Sequence, residues 1–248
     1  MDLGLAGKVA LVLGGSRGLG AACAQALLAE GAQVHAVSRS GAVDSQRMQG
    51  FAADLSQPGD VAALLDHIKA IGRVDVLVAN TGGPRRGQAR GVASSEWMST
   101  FQALAVSLFS VADAVLPGMI AQGWGRIVTI GSSGIEQPIP DLALSNAVRG
   151  SIAGWSKTLA AEVAPHGVTV NMVLPGRIDT DRLREGDKAR AGDGDLAQVQ
   201  ARSRATIPLG RYGRPEEFGA MVAFLASEQA SYVTGSMVRV DGGLIRSV

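Results

Sequence analysis

A glycine-rich turn between a strand and a helix is the feature that most restricts the fold of this chain. The apolar run Val9–Leu13 is followed by a seven-residue stretch, Gly14–Gly20, that reads GGSRGLG. Apolar residues at helical spacing then run from Gly18 to Glu30. Glycines here permit a tight turn, and they let backbone amides at the helix N-terminus approach a pyrophosphate. The pattern predicts a Rossmann-type unit that holds a dinucleotide.

The rest of the chain alternates strand-length apolar runs with helical periodicities. Six further strands are predicted at 34–37, 51–53, 74–79, 126–130, 168–174 and 237–240. Helices are predicted over 18–30, 58–70, 94–122, 146–164 and 215–226. With 46% hydrophobic residues and no repeat or linker, this alternation predicts a single α/β domain over 1–248. We expect a doubly wound, mostly parallel sheet of about seven strands with helices on both faces.

Residues 181–206 interrupt this alternation. They are rich in charge, include two glycines and show little periodicity. The segment follows the sixth strand, at the edge where doubly wound sheets bind their ligands. We therefore expect a substrate lid at 181–206, with a plain surface insertion as the alternative.

Charge and cysteine content exclude several classes of function. A net charge of +1 argues against a general nucleic-acid or membrane-surface role. The one cysteine, Cys23, excludes an intrachain disulfide and is expected to pack in the first helix. His35, His67 and His166 show no metal-ligand spacing, so they are expected to be structural and no metal site is predicted. Without a signal pattern or a run of ~18 apolar residues, we expect a soluble cytoplasmic protein.

Motifs beyond the glycine turn resemble those of the short-chain dehydrogenase/reductase family over nearly the whole chain. The matching residues are the Gly-x-x-x-Gly-x-Gly turn, Asp54, Asn80-Thr81-Gly82, Pro175-Gly176 with Thr180, Val233-Thr234-Gly235 and Val240-Asp241-Gly242-Gly243. Within the family, the sequence resembles the 3-oxoacyl-[acyl-carrier-protein] reductases. The resemblance implies a nicotinamide dinucleotide, a small-molecule or acyl-thioester substrate, and a homo-oligomer (a tetramer or dimer).

The same resemblance implies a cofactor site that draws on the carboxyl ends of several strands. Its residues are Gly14, Ser16, Arg17, Gly18, Leu19, Gly20, Ser38, Arg39, Asp54, Leu55, Asn80, Thr81, Gly82, Arg149, Pro175, Gly176, Ile178 and Thr180. Enzymes that prefer NAD tend to place a carboxylate at the end of the second strand. Ser38 stands there instead, and Arg39 and Arg17 are placed to flank a 2′-phosphate. The sequence therefore favours NADP(H) over NAD(H).

The catalytic positions that the resemblance implies are largely replaced. Family members carry a serine after the fifth strand, a Tyr-x-x-x-Lys pair on the next helix, and an asparagine on the preceding long helix. Ser132 is retained, but Ser145 and Arg149 stand at the tyrosine and lysine positions. Leu104 stands at the asparagine position. The stretch 155–162 matches the family well and fixes this register.

These replacements change the available acid–base chemistry. A tyrosine has a pKa near ~10 that a cation can lower, whereas a serine hydroxyl is a much poorer acid and arginine stays protonated. Ser145 and Arg149 are four residues apart, on one helical face. Arg149 is placed to clamp a ribose or to polarise a substrate oxygen that Ser132 and Ser145 orient. The proton then comes from water, from the substrate, or from Glu136 or Asp141, which are otherwise solvated loop acids.

A basic cluster follows the fourth strand. Arg85, Arg86 and Arg90 lie in a stretch, 82–95, that contains no acidic residue. Two interpretations stay open: the cluster faces an anionic substrate or carrier protein, or it is a solvated loop.

Three functions fit these residues. The first is an NADP(H)-dependent oxidoreductase that reduces a carbonyl with a non-standard catalytic set of Ser132, Ser145 and Arg149. The second is a lyase or isomerase on the same fold. The third is a catalytically silent nucleotide-binding partner or regulator. The intact glycine turn predicts nucleotide binding under all three.

Overall fold

Seven parallel strands form the central sheet of the computed structural model, which describes residues 2–43 and 45–247. The strands are β1 (Val9–Leu13), β2 (Gln33–Ser38), β3 (Met48–Ala52), β4 (Val76–Ala79), β5 (Gly125–Ile130), β6 (Val168–Pro175) and β7 (Met237–Val240). Their order is β3-β2-β1-β4-β5-β6-β7, and every neighbouring pair is parallel. The chain changes direction across the sheet between β1 and β4, which opens a ligand crevice at their carboxyl ends. The predicted sheet is confirmed.

Helices cover both faces of the sheet and create two apolar cores. They are α1 (Gly18–Ala29), α2 (Pro58–Ile71), α3 (Ser94–Phe101), α4 (Ser107–Ala121), α5 (Ala143–Val163), α6 (Asp181–Ala191), α7 (Leu196–Ala205) and α8 (Pro215–Leu225). Side chains of β1 alternate between the cores, as the period of a strand requires. Leu11 and Leu13 pack with α2, α4 and α5, whereas Ala10 and Val12 pack with α1 and α8. Cys23 is fully buried in α1, as expected.

The segment 181–206 is more regular than its sequence suggested. It forms α6 and α7, whose N-termini are capped by the side chains of Thr180 and Asp195. A buried carboxylate, Asp187, accepts a hydrogen bond from the Tyr212 hydroxyl at 2.7 Å and pairs with Arg190. Low apolar periodicity did not mark these helices because capping and a polar anchor, rather than an apolar stripe, stabilise them.

A π-helical turn interrupts the long helix that the sequence predicted over 94–122. It spans Gln102–Val106 and includes buried Leu104. The hydroxyls of Ser107 and Ser110 donate to the carbonyls of Ala103 and Val106 at 2.7 and 3.0 Å. The carbonyls of Ala103 and Val106, in the wider π-helical turn, therefore have side-chain partners. Leu104, in the same turn, stands where the family carries an asparagine.

The helical stretch Ser94–Ala121 also passes a length and composition test for a membrane span, with a mean hydropathy of 1.8. Half of its most apolar window is buried within the fold, where residues such as Val111 and Ala112 belong to the core beside α2 and α5. Core packing thus accounts for much of its apolar character.

Candidate active site

The glycine turn brings α1 directly against the end of β1. Gly14 and Gly18 have positive φ angles of 66° and 58°, which favour glycine. A Cβ on Gly20 would overlap the carbonyl oxygen of Gly14. Arg17, the N-cap of α1, makes no side-chain hydrogen bond to the start of the helix, so the first amides of α1 keep their anion-binding capacity. The local geometry fits a dinucleotide pyrophosphate.

Predicted cofactor residues from two other strands converge on this turn. The side-chain amide nitrogen of Asn80, after β4, lies 2.5 Å from the position that a Cβ on Gly14 would take. The Thr180 methyl group, after β6, lies 3.7 Å from the Cβ position of Gly18. The Gly176 amide donates to Val240 at 3.0 Å, which fixes the path of the chain as it leaves β6.

The remaining predicted cofactor residues lie along the same sheet edge. Ser16 and Leu19 in the turn, Leu55 after β3 and Pro175 at the end of β6 are half-buried, and Ile178 is buried beside Gly213.

Two arginines, Arg17 in the glycine turn and Arg39 directly after β2, have no carboxylate partner among the described residues. Arg17 and Arg39 are exposed, and neither forms an ion pair within residues 2–43 and 45–247. The Ser38 hydroxyl accepts from the Gly41 amide at 3.0 Å and so stabilises the turn that carries Arg39. The pKa of Asp54 is lowered by hydrogen bonds from Ser56 and, to a lesser extent, by Arg39. Both guanidinium groups are therefore available to a phosphate.

Arg149 is a buried cation at the carboxyl ends of β4 and β5. Its guanidinium donates to the carbonyls of Ile130 at 2.9 Å, Thr81 at 3.2 Å and Gly82 at 3.1 Å. Burial and, to a lesser extent, the nearby cation Arg182 lower the pKa of Arg149 to about 10. No carboxylate pairs with it in the described parts of the chain. Main-chain dipoles alone hold this charge.

The two candidate serines lie on elements that adjoin this cation, Ser132 after β5 and Ser145 on α5. Ser132 follows β5, and its hydroxyl oxygen accepts from the Gly134 amide at 3.0 Å, which leaves the hydroxyl proton free to be donated. Ser145 is 5% exposed and lies one turn before Arg149 on α5. Its hydroxyl has no hydrogen bond to any residue that the structure describes. The structure thus supplies two hydroxyl groups and a cation in one region.

Asn146 is a site residue that the sequence reasoning missed. Its amide donates to the Ile139 carbonyl at 2.9 Å and ties the loop after Ser132 to α5. The same side chain faces Gly134, where a Cβ would lie 2.5 Å from its Oδ1 atom and 3.2 Å from the Ser132 hydroxyl. The only sequence signal for this role was an amide side chain directly after Ser145.

The two loop acids that were considered as proton donors lie in different settings. Glu136 is not a solvated acid, because its carboxylate pairs with Arg239 and its side chain is only 16% exposed. Asp141 is exposed and has a φ of 59°, and its carbonyl accepts from the Gly87 amide at 2.8 Å. Glu136 is therefore engaged in holding the C-terminal strand.

One arginine of the basic cluster forms an ion pair, and the other two form none among the described residues. Arg85 forms a two-point ion pair with Glu96, which lies just beyond the acid-free stretch 82–95. Arg90 contacts Gln88 at 3.4 Å, and Arg86 is exposed with no ion pair among the described residues. The cluster therefore offers fewer free cations than the sequence suggested.

Comparisons with known proteins agree with this fold and this turn. A family profile described as Enoyl-(Acyl carrier protein) reductase matches residues 14–245. The 3-oxoacyl-[acyl-carrier-protein] reductase FabG of Salmonella typhimurium is 39% identical over 96% of this chain and 97% of that protein. The Escherichia coli FabG is 38% identical with the same coverage.

Two solved structures are similar over their full lengths. L-sorbose reductase from Gluconobacter frateurii, complexed with NADPH and L-sorbose, has 30% identity, a TM-score of 0.92 and 100% coverage of both chains. A putative NAD(P) dependent gluconate 5-dehydrogenase from Beutenbergia cavernae, with bound NADP, has 32% identity, a TM-score of 0.90 and 100% coverage of both chains. This chain belongs to the short-chain dehydrogenase/reductase family, whose members are NAD(P)-dependent oxidoreductases.

Proposed function

We propose that this protein is an NADP(H)-dependent oxidoreductase that reduces a carbonyl group with Ser132, Ser145 and Arg149 as its catalytic set. The observation that carries this proposal is the buried guanidinium of Arg149, which bonds the Ile130 carbonyl two residues before Ser132 and lies one helical turn after Ser145. A fixed cation in a buried site stabilises negative charge that develops on a substrate oxygen. That role does not require the arginine to give up a proton.

The residues around the glycine turn fit NADP(H). The uncapped start of α1 suits the pyrophosphate, and Arg17 and Arg39 suit the 2′-phosphate. When bound, the nicotinamide supplies a hydride to the carbonyl carbon. The NADPH and NADP named with the two solved relatives support the same preference.

The two serines position the carbonyl oxygen and pass a proton to it. Ser132 donates its free hydroxyl proton as a hydrogen bond, and Ser145 approaches the same oxygen from α5. Because a serine hydroxyl does not ionise near neutral pH, the net proton comes from water that the hydroxyls hold in place. Arg149 stabilises the oxygen while the proton arrives.

Steady-state turnover tests this proposal. NADPH consumption is followed with ketones, 3-oxoacyl thioesters and quinones, and NADPH and NADH are compared by fluorescence titration. Ser132→Ala and Ser145→Ala are expected to lower kcat by about tenfold to a thousandfold. Ser151→Ala is the matched control on α5, because that hydroxyl only bonds its own helix at the Val148 carbonyl. Tighter binding of NADH than of NADPH would refute the cofactor preference.

A catalytically silent nucleotide-binding protein is the second candidate. It is favoured by the fact that every hydrogen bond of Arg149 goes to the main chain, as in a purely structural role. Replacing Ser145 with tyrosine and Arg149 with lysine distinguishes the two candidates. Activity that appears only in this double variant would mean that the native site is not a reductase.

We further propose a cytoplasmic homo-oligomer with a substrate lid formed by α6 and α7. The lid proposal is supported by the position of these helices after β6, beside the glycine turn. The oligomer proposal is supported by β7, an edge strand that leaves Met237 47% exposed. Fully buried Cys23 is compatible with a reducing compartment.

A further inference from the structure

A second arginine, Arg182, reaches from the first turn of α6 to the chain segment that follows β4. Its guanidinium lies directly on Gly83, where a Cβ would overlap it. Arg149 contacts the same segment, because its guanidinium donates to the Thr81 and Gly82 carbonyls. The two cations therefore contact consecutive residues of one loop. Arg182 can lie against residue 83 because that residue is glycine and has no Cβ.

This arrangement is electrostatically unfavourable by itself. Burial and the nearby cation Arg86 lower the pKa of Arg182, and Arg182 in turn lowers that of Arg149. A cation in the first turn of a helix is also opposed by the helix dipole. Glu185, one turn along α6, acts in the opposite direction and raises the pKa of Arg182, but it forms no ion pair with Arg182 among the described residues. Arg182, which is exposed, therefore lies near two like charges, Arg149 and Arg86, that Glu185 offsets only in part.

We propose that Arg182 and Arg86 form a subsite for an anionic group of the substrate, a carboxylate or a phosphate, next to the reacting carbonyl. A guanidinium binds either group through paired, charge-assisted hydrogen bonds. The substrate class is therefore an oxo compound, or the corresponding alcohol, that carries its own negative charge. This inference rests on the proposed function and makes its substrate more specific.

The substrate, rather than the cofactor, is the source of the anion. The cofactor phosphates already have the amides at the start of α1, together with Arg17 and Arg39 beside β2. Arg182 instead lies on Gly83, after β4, where its charge acts on Arg149. Because α6 carries this arginine, binding of an anion would also hold the proposed lid against the sheet edge.

Calorimetric titration of inorganic phosphate, and separately of acetate, into the protein saturated with NADP⁺ tests the subsite. We expect saturable binding, and the preferred probe shows whether the site takes a phosphate or a carboxylate. Arg182→Gln should weaken binding by about tenfold or more, the value of one charge-assisted hydrogen bond. Gly83→Ala should have a similar effect, because the added methyl group displaces the guanidinium. Arg90→Gln, an exposed arginine of the same loop, is the control and should change nothing.

Three results would overturn the subsite. They are no saturable binding of either anion, equal binding by the Arg182→Gln variant, and a loss of NADP⁺ affinity in that variant with anion binding unchanged. The last result would assign the cation to the cofactor. A wild-type protein that binds no NADP(H) would instead contradict the proposed function, and titrations of the free protein and its Arg182→Gln variant would still decide the subsite.

Discussion

Replacing Arg149 with methionine tests whether this cation holds the carboxyl ends of β4 and β5 together. Its three hydrogen bonds to carbonyls, at 2.9, 3.2 and 3.1 Å, contribute about 1.5–3 kcal/mol each. The opposing cost is burial of the charge. A pKa lowered from 12.5 to about 10 corresponds to about 3.5 kcal/mol, at about 1.4 kcal/mol for each pH unit. The hydrogen bonds exceed this cost by about 1–6 kcal/mol, so the variant should lose about 3 kcal/mol of unfolding free energy, near the middle of that range.

Urea unfolding followed by tryptophan fluorescence measures this difference, and the melting temperature should fall by about 6–12 °C. Arg149→Lys keeps the charge but loses the fork of donors, so its loss should be smaller. Lys157→Met is the control on the same helix, because its ammonium group bonds the Gly235 carbonyl at the surface. Replacing a buried charged residue with an apolar one sometimes leaves the free energy of unfolding undiminished. A methionine variant as stable as the wild type would refute our account of Arg149.

Three further outcomes are expected. Gly20→Ala should weaken NADPH binding by about tenfold or more in a fluorescence titration, because the added methyl group overlaps the glycine turn. Gly150→Ala is the control and should not weaken binding, because open space surrounds that position. Unchanged NADPH affinity in the Gly20→Ala variant would contradict the close approach of α1 to the end of β1. Burial lowers the pKa of His35, so its share of stability is present above about pH 6.5 and falls as the pH drops below that value. His35→Leu should reduce the difference in unfolding free energy between about pH 7.5 and about pH 5.5, and an unchanged difference would exclude this histidine as the cause. Tyr212→Phe removes the hydroxyl that bonds buried Asp187, so trypsin should cut 181–206 faster than in the wild type, with cofactor slowing both; equal rates would mean that this bond does not anchor the segment.

The sequence was sufficient to predict the sheet, whereas the catalytic positions stay a prediction. Buried strands such as β5 and β6 are short stretches rich in valine and isoleucine and bounded by glycine or proline, so the sequence indicates their positions. The family resemblance placed Ser132, Ser145 and Arg149, and the structure brings all three to the edge formed by β4, β5 and α5.

What the sequence did not predict depends on tertiary contacts. The contact of Arg182 with Gly83 joins residues far apart in the chain, and no local pattern marks it. The ion pair between Glu136 and Arg239 changes a loop acid into a structural group for the same reason. Helices α6 and α7 were missed because few apolar residues mark a buried face in a segment anchored by polar bonds.

The most direct test of the proposed reductase uses NADPH that carries deuterium at the transferable position of the nicotinamide C4. Mass spectrometry then follows the label into the alcohol products of the carbonyl panel. We expect the wild-type protein to transfer deuterium to at least one product, with transfer greatly reduced when Ser132 and Ser145 are both replaced by alanine. Bound NADPH without transfer by the wild type, together with transfer by the Ser145→Tyr and Arg149→Lys double variant, would contradict the proposal and identify a silent nucleotide-binding protein.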